Sequence, residues 1–327
     1  VAAAVCLATA AGVLAVQRWT LTLEPRLHRE IEAWLSDRFK ADVTLERVDV
    51  QLYPNVVADA HNLAIRIRNR PDLPPFITIG TWSGTAELSR VGIRHFTEVR
   101  LYDVTITVPP GRLDDIRGPR DPEAPKGPPT RPPQIRVDRL VADHLVLEVM
   151  AKDLSRDSHV WDIRDLVMEP FDFDDQTPFS ATVDTPLPAD RARVSGVAGP
   201  WPDGNFRQLP LQGEYHLDGD LSQVAGLIGR IAVDGRALGT LERLATQGTA
   251  RSAEAGFRTG GASTLPLEVT YEAVVDATNS DVFLTKTRAT AGGAVVEASG
   301  HVVKHKGASG RHISLTVHSP RDSSRSE

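Results

Sequence analysis

From Ala41 onward, apolar and polar residues alternate along the chain with a period of two. Val43 and Leu45, then Val48, Val50 and Leu52, alternate with polar neighbours, and a slip at Glu46-Arg47 reads as a turn or bulge. The same alternation recurs in Leu63-Ala64-Ile65-Arg66-Ile67, Val104-Thr105-Ile106-Thr107-Val108 and Leu145-Val146-Leu147-Glu148-Val149. Each of these follows a polar residue: Asn62, Asp103 or His144. Their spacing of about forty residues makes a weak internal repeat, which predicts a stacked or extended β architecture.

The text before Ala41 has a different period. Leu23-Glu24-Pro25 suits a helix start, because proline at the first helical position gives up an N–H that has no partner there anyway. Leu27, Ile31, Trp34, Leu35 and Phe39 then recur at helical spacing, with Arg26, Arg29, Glu30, Asp37 and Arg38 on the other side. This predicts one amphipathic helix over 20–40 whose apolar stripe packs on the domain. Earlier still, Val1–Val16 has no charged residue and is followed by Gln17-Arg18-Trp19. A run of this length, with Arg18 and Trp19 placed for a membrane–water boundary, predicts a transmembrane anchor over 1–19. The competing reading is a cleaved secretory signal, with Ala8-Thr9-Ala10 as the small-residue site.

Proline and glycine divide the rest. An N-terminal β region over 41–110 gives way to 111–133, which ends Lys126-Gly127-Pro128-Pro129-Thr130-Arg131-Pro132-Pro133 and reads as an exposed loop. A middle β region follows over 134–184. A second Pro-rich connection spans 185–210, and a C-terminal β region spans 211–318. In that last region Asp220 suits the cap of a short helix or turn, and Gly260-Gly261 and Gly292-Gly293 suit hairpins. The end, 319–327, is polar without periodicity. The expected fold is therefore mainly β: a transmembrane helix and an amphipathic helix, then an extended, curled antiparallel sheet.

Charge and composition narrow the function classes. The net charge of −6 presents no overall positive field to a phosphate backbone, which argues against nucleic acid as a partner. Cys6 is the only cysteine, so neither an internal disulfide nor a cysteine zinc site is possible within one chain. Asp174-Asp175 looks like a loose calcium loop but lacks the glycine and glutamate of an EF-hand, and so reads as an acidic turn. His301 and His305 are four apart in strand text, too far apart to share a metal. No G-x-S-x-G, Walker A or G-x-G-x-x-G occurs. The sequence thus implies no catalytic residue, no metal, no cofactor and no enzyme.

Three stretches resemble the AsmA family of bacterial envelope proteins. The first is Arg38-Phe39-Lys40-Ala41-Asp42-Val43-Thr44-Leu45-Glu46-Arg47-Val48-Asp49-Val50-Gln51-Leu52-Tyr53-Pro54. The second comprises Ile77-Thr78-Ile79-Gly80 and Val99-Arg100-Leu101-Tyr102-Asp103-Val104-Thr105-Ile106. The third is the C-terminal text from Leu265-Pro266-Leu267-Glu268-Val269-Thr270-Tyr271 through Ala298-Ser299-Gly300-His301-Val302 to Gly310-Arg311-His312-Ile313. The resemblance implies a single-pass inner-membrane protein facing the periplasm, engaged in outer-membrane maintenance and phospholipid transfer along a β groove. It brings no catalytic residue with it. The groove and its phospholipid ligand are what the resemblance implies; within it, the alternation makes Val50, Leu63, Ile65, Ile106, Leu145 and Leu147 the expected lining. The alternative is an assembly module that binds envelope protein partners and carries no lipid.

Overall fold

The structure is a computed structural model, and it describes residues 25, 28–29, 31–51, 56–70, 72–86, 95–109, 136–151, 158–186, 189–201, 205–223, 227–257, 264–303 and 312–319. The expected anchor, with Arg18 and Trp19, and the Pro-rich loop 111–133 lie outside these residues. Among the described residues, no helix is long and apolar enough to cross a membrane. The chain is mainly β, as the alternation predicts, and divides into two compact units.

Unit 1 comprises Val1–Thr107, Leu113–Leu145 and Met168–Phe171. Its described part begins with a helix, α1, running through 31–39, the later half of the expected amphipathic helix. Ile31 and Leu35 are buried, which is the role the stripe predicts. The Glu32 carboxylate accepts the Leu45 N–H at 3.3 Å, tying the helix to the first strands. Strands β1 (Asp42–Thr44), β2 (Arg47–Gln51), β3 (Val56–Arg66), β4 (Ile77–Ala86) and β5 (His95–Val108) follow. β2 to β5 pair in order, and β1 also pairs with β3, all antiparallel. β6 (Arg136–Val149) and β7 (His159–Met168) contribute residues to both units.

A filled core sits in unit 1. Large apolar side chains there are almost completely withdrawn from water: Leu63 is 5% exposed, Ile65 1%, Phe76 1% and Val104 3%. Trp82 and Phe96 meet edge to face at 5.8 Å between ring centroids, and Phe39 and Phe76 do so at 5.7 Å.

Unit 2 comprises Val108–Arg112, Val146–Val167 and Asp172–Glu327. It is built from β8 (Thr177–Pro186), β9 (Ala189–Ala198), β10 (Pro210–Asp220), β11 (Leu227–Ile228), β12 (Arg230–Thr240), β13 (Arg243–Phe257), β14 (Thr264–Asp276), β15 (Asp281–Ala291), β16 (Ala294–Val303) and β17 (His312–His318). The order is a long antiparallel meander, β8-β9-β10-β12-β13-β14-β15-β16-β17, with short β11 also pairing β13. The expected connection 185–210 is thus corrected: Ala189–Ala198 is a strand paired on both sides. Pro186 falls at the end of the strand before it and Pro200 after it.

Several turns form as their residues dictate. Asp220 accepts the Ser222 N–H at 2.8 Å and opens a 3₁₀ turn at Leu221–Gln223. Gly292 and Gly293, at φ of 53° and 89°, make the two-residue turn between β15 and β16. Gly260-Gly261 lies outside the described residues. The acidic run folds onto itself, with Asp172 accepting the Asp174 N–H at 2.8 Å.

Candidate functional site

Residues directly opposite each other in an antiparallel ladder point to the same side of the sheet, so the register of unit 2 sorts its side chains into two faces. One row runs Val183, Ala192, Leu217, Val233, Ala250, Val269, Ala289, Val296. Two residues away along the strands lies Ala181, Val194, Tyr215, Gly235, Gly248, Tyr271, Thr287, Ala298. The next two rows, which end at Leu315 and Ile313, are again Leu, Val, Ala, Gly, Phe and Thr. Not one charged residue occurs in these four rows.

Two of the three intervening rows are the opposite, and the third (Pro178, Val197, Gln212, Leu238, Ala245, Val274, Phe283, His301) is largely apolar, with Leu238 61% and Phe283 45% exposed. One reads Thr182, Arg193, His216, Asp234, Thr249, Thr270, Arg288, Glu297. Cross-strand pairs join its charges and those of its neighbours: Arg236 to Glu214 at 3.0 Å, and Arg251 to Glu268 at 3.1 Å. His216 lies between two carboxylates, 2.7 Å from Asp234 and 3.1 Å from Asp218. First Asp234 and then Asp218 raise its pKa above the ordinary imidazole value. A hollow of about 980 Å³ crosses this polar face between Glu214, Arg236, Gln247, Glu272 and Lys286. These pairs are exposed, so each adds little stability, and the rows keep that side wet.

The apolar face is open. In a filled core the large side chains of such a face would be buried, as they are in unit 1. Here Leu217, Val233, Val269, Val275, Val282, Val296 and Val302 are all half-buried. Among the described residues, the fully buried apolar ones on β8–β17 are alanines: Ala181, Ala192, Ala198, Ala250 and Ala273. At β17 the face is exposed outright, with Ile313 at 62%, Leu315 at 49% and Val317 at 58%. Among the described residues no second layer seals it.

The expected lining residues divide between buried and half-buried positions. Leu63, Ile65 and Ile106 do share a face, since Ile65 pairs Ile77 and Ile77 pairs Ile106. Yet Leu63, Ile65 and Leu145 are 5%, 1% and 6% exposed, which makes them core side chains with no surface left for a ligand. Val50 and Ile106 in unit 1 and Leu147 in unit 2 are half-buried. The alternation around Ile106 also breaks: Thr107, one of its polar positions, is 5% exposed and its N–H is held by the Phe76 carbonyl. The open face belongs to strands whose inward residues are small, and two of those, β12 and β13, carry too many glycines and alanines to read as strands.

Among the described residues, no group of three or more His, Cys, Asp or Glu is placed to hold a metal ion. No family model, no curated protein and no solved structure matches the chain.

Proposed function

We propose that this chain binds acyl lipid along the apolar face of unit 2, as a membrane-anchored periplasmic protein that moves phospholipid for outer-membrane maintenance. The observation that carries the reading is the half-buried face of Leu217, Val233, Val269 and Val296, uncharged over four rows and unsealed among the described residues. A continuous apolar strip of this kind loses free energy in water and gains it against hydrocarbon. The charged rows of the opposite face suit solvent. Val1–Val16 and the likeness of three sequence stretches to the AsmA family support the envelope location.

The test is photocrosslinking in cells. A crosslinker at Val233 or Val269 should capture phospholipid, and one at Asp234 or Thr270, one position along and facing the other way, should not. Equal capture at both pairs, or at neither, sinks the reading.

A second reading is favoured by β17. Its only ladder partner among the described residues is β16, and its Ile313, Leu315 and Val317 are exposed. A strand edge of that kind suits addition of a partner's strand, which is how an assembly module would act.

A further inference from the structure

One feature interrupts the apolar face. Tyr215 and Tyr271 stand in the same row on either side of Gly235 and Gly248. The Tyr215 hydroxyl lies 2.7 Å from the Tyr271 hydroxyl and 2.7 Å from Thr246 Oγ1. Both glycines are required for this. A Cβ on Gly235 would fall 2.4 Å from Cζ of Tyr215, and one on Gly248 would fall 2.6 Å from the Tyr271 hydroxyl. The tyrosine rings therefore lie over bare backbone, and their polar ends meet in the middle of a face that is otherwise hydrocarbon.

The hydrogens do not balance. Three hydroxyls carry three hydrogens, and the two contacts between them use two. Directly opposite Tyr271, on the same face, is Thr287, whose Oγ1 is buried and has no hydrogen-bond partner. The band thus holds two uncommitted O–H donors, and the one at Thr287 is withdrawn from water. Buried donors of this kind normally find acceptors.

The acceptor they suit is uncharged. No cation occurs in the four rows to offset an anion, and burial together with the Tyr215 contact pushes the Tyr271 phenol well above its ordinary pKa. An oxygen that sits among hydrocarbon, accepts two hydrogen bonds and carries no charge is an ester carbonyl flanked by acyl chains.

We infer that the hydroxyls of Tyr215, Thr246, Tyr271 and Thr287 form a donor subsite for the ester carbonyls of a diacylglycerol-based lipid, seated at the middle of the apolar face. This rests on the reading that the face takes acyl chains, and its test separates the two. The full chain is exchanged from detergent into vesicles of two phospholipids in equal amounts. They share headgroup and chain length, but one has ester-linked and the other ether-linked chains. Bound lipid is then weighed by native mass spectrometry. The subsite holds the diester over the diether by about threefold to tenfold, the worth of one well-placed neutral hydrogen bond. In Thr287→Val the preference shrinks, and in the variant that also carries Tyr215→Phe, Thr246→Val and Tyr271→Phe the two lipids bind equally. Equal binding by the unaltered chain, or a preference that survives both variants, overturns the subsite and leaves the face standing. Binding of neither lipid overturns the face itself. Thr287→Val also serves without lipid: it removes a hydroxyl that has no partner, so its Tm should match or exceed that of the unaltered chain. A lower Tm would mean that Thr287 is already bonded.

Discussion

The Arg207 guanidinium donates to the Pro109 carbonyl at 2.9 Å, joining residues 98 apart in the chain. A second donor of the same guanidinium reaches the Met150 carbonyl, and Arg207 is only 3% exposed. Burial lowers its pKa, opposed by Glu242 and Asp276, but a guanidinium stays charged even so. A buried cation whose fork satisfies two strand-end carbonyls organises the start of unit 2.

Arg207→Met keeps much of the volume and removes both donors. It should cost about 3 kcal/mol, the range for leaving buried acceptors unmet, while Arg207→Lys should recover part of it. Urea unfolding followed by tryptophan fluorescence measures the difference. A loss below about 1 kcal/mol would mean that water reaches those carbonyls.

Two of the three polar residues that open the repeat have a backbone role. Asn62 and Asp103 take φ of 52° and 53°, in the left-handed region. They stand in one row, flanked by the pairs His61↔Thr81 and Leu63↔Ile79 on one side and Thr81↔Tyr102 and Ile79↔Val104 on the other. Asparagine and aspartate tolerate this conformation and β-branched residues do not. Asn62→Gly should therefore be neutral within about 0.5 kcal/mol, whereas Asn62→Val should lose about 2 kcal/mol. Thermal unfolding of the two variants distinguishes a backbone role from a side-chain one.

Protonation of His216 should strengthen the polar face. Its folded-state pKa is raised above the ordinary 6.5 by Asp234 and Asp218, while Arg193 stands 3.9 Å from Asp218 on the next strand. A group with a raised folded pKa contributes stability that is fully present below its unfolded value and is lost as pH rises through the folded one. Stability should fall across that window in the unaltered chain and flatten there in His216→Asn. NMR titration of the ring gives the pKa directly, and a value at or below 6.5 would refute the arrangement.

Legibility followed side-chain size. β10, β14, β15, β16 and β17 were plain in the sequence because Leu, Val, Ile and Tyr alternate there with charge. β12 and β13 were not, since Gly235, Gly239, Gly248, Ala237 and Ala250 have weak strand preference and carry little hydrophobic signal. Those small residues help form the open face, so the element with the functional interest was the one least visible. The strong alternation at Leu63, Ile65 and Leu145 marked a core instead. Period alone tells which residues share a side, and only burial tells whether that side is filled.

That difference sets the final prediction, which concerns binding along the open face. Withdrawing one methylene from water is worth about 0.8 kcal/mol, so a sixteen-carbon chain gains roughly 12 kcal/mol over bare water. A bilayer offers nearly the same, so exchange between bilayer and strip needs no chemical energy source. A charge placed in the strip must be desolvated by any chain lying across it, which costs several kcal/mol and cuts occupancy steeply. Val269→Arg should therefore abolish co-purified phospholipid, and Thr270→Arg, on the polar face, should leave it unchanged. Ile65→Arg should act differently from both: buried in the unit 1 core, it should lower Tm by many degrees. Lipid content by mass spectrometry and Tm by calorimetry, measured on all three, separate a binding face from a packed one. Lipid retained in Val269→Arg at the level of Thr270→Arg would move the site off this face.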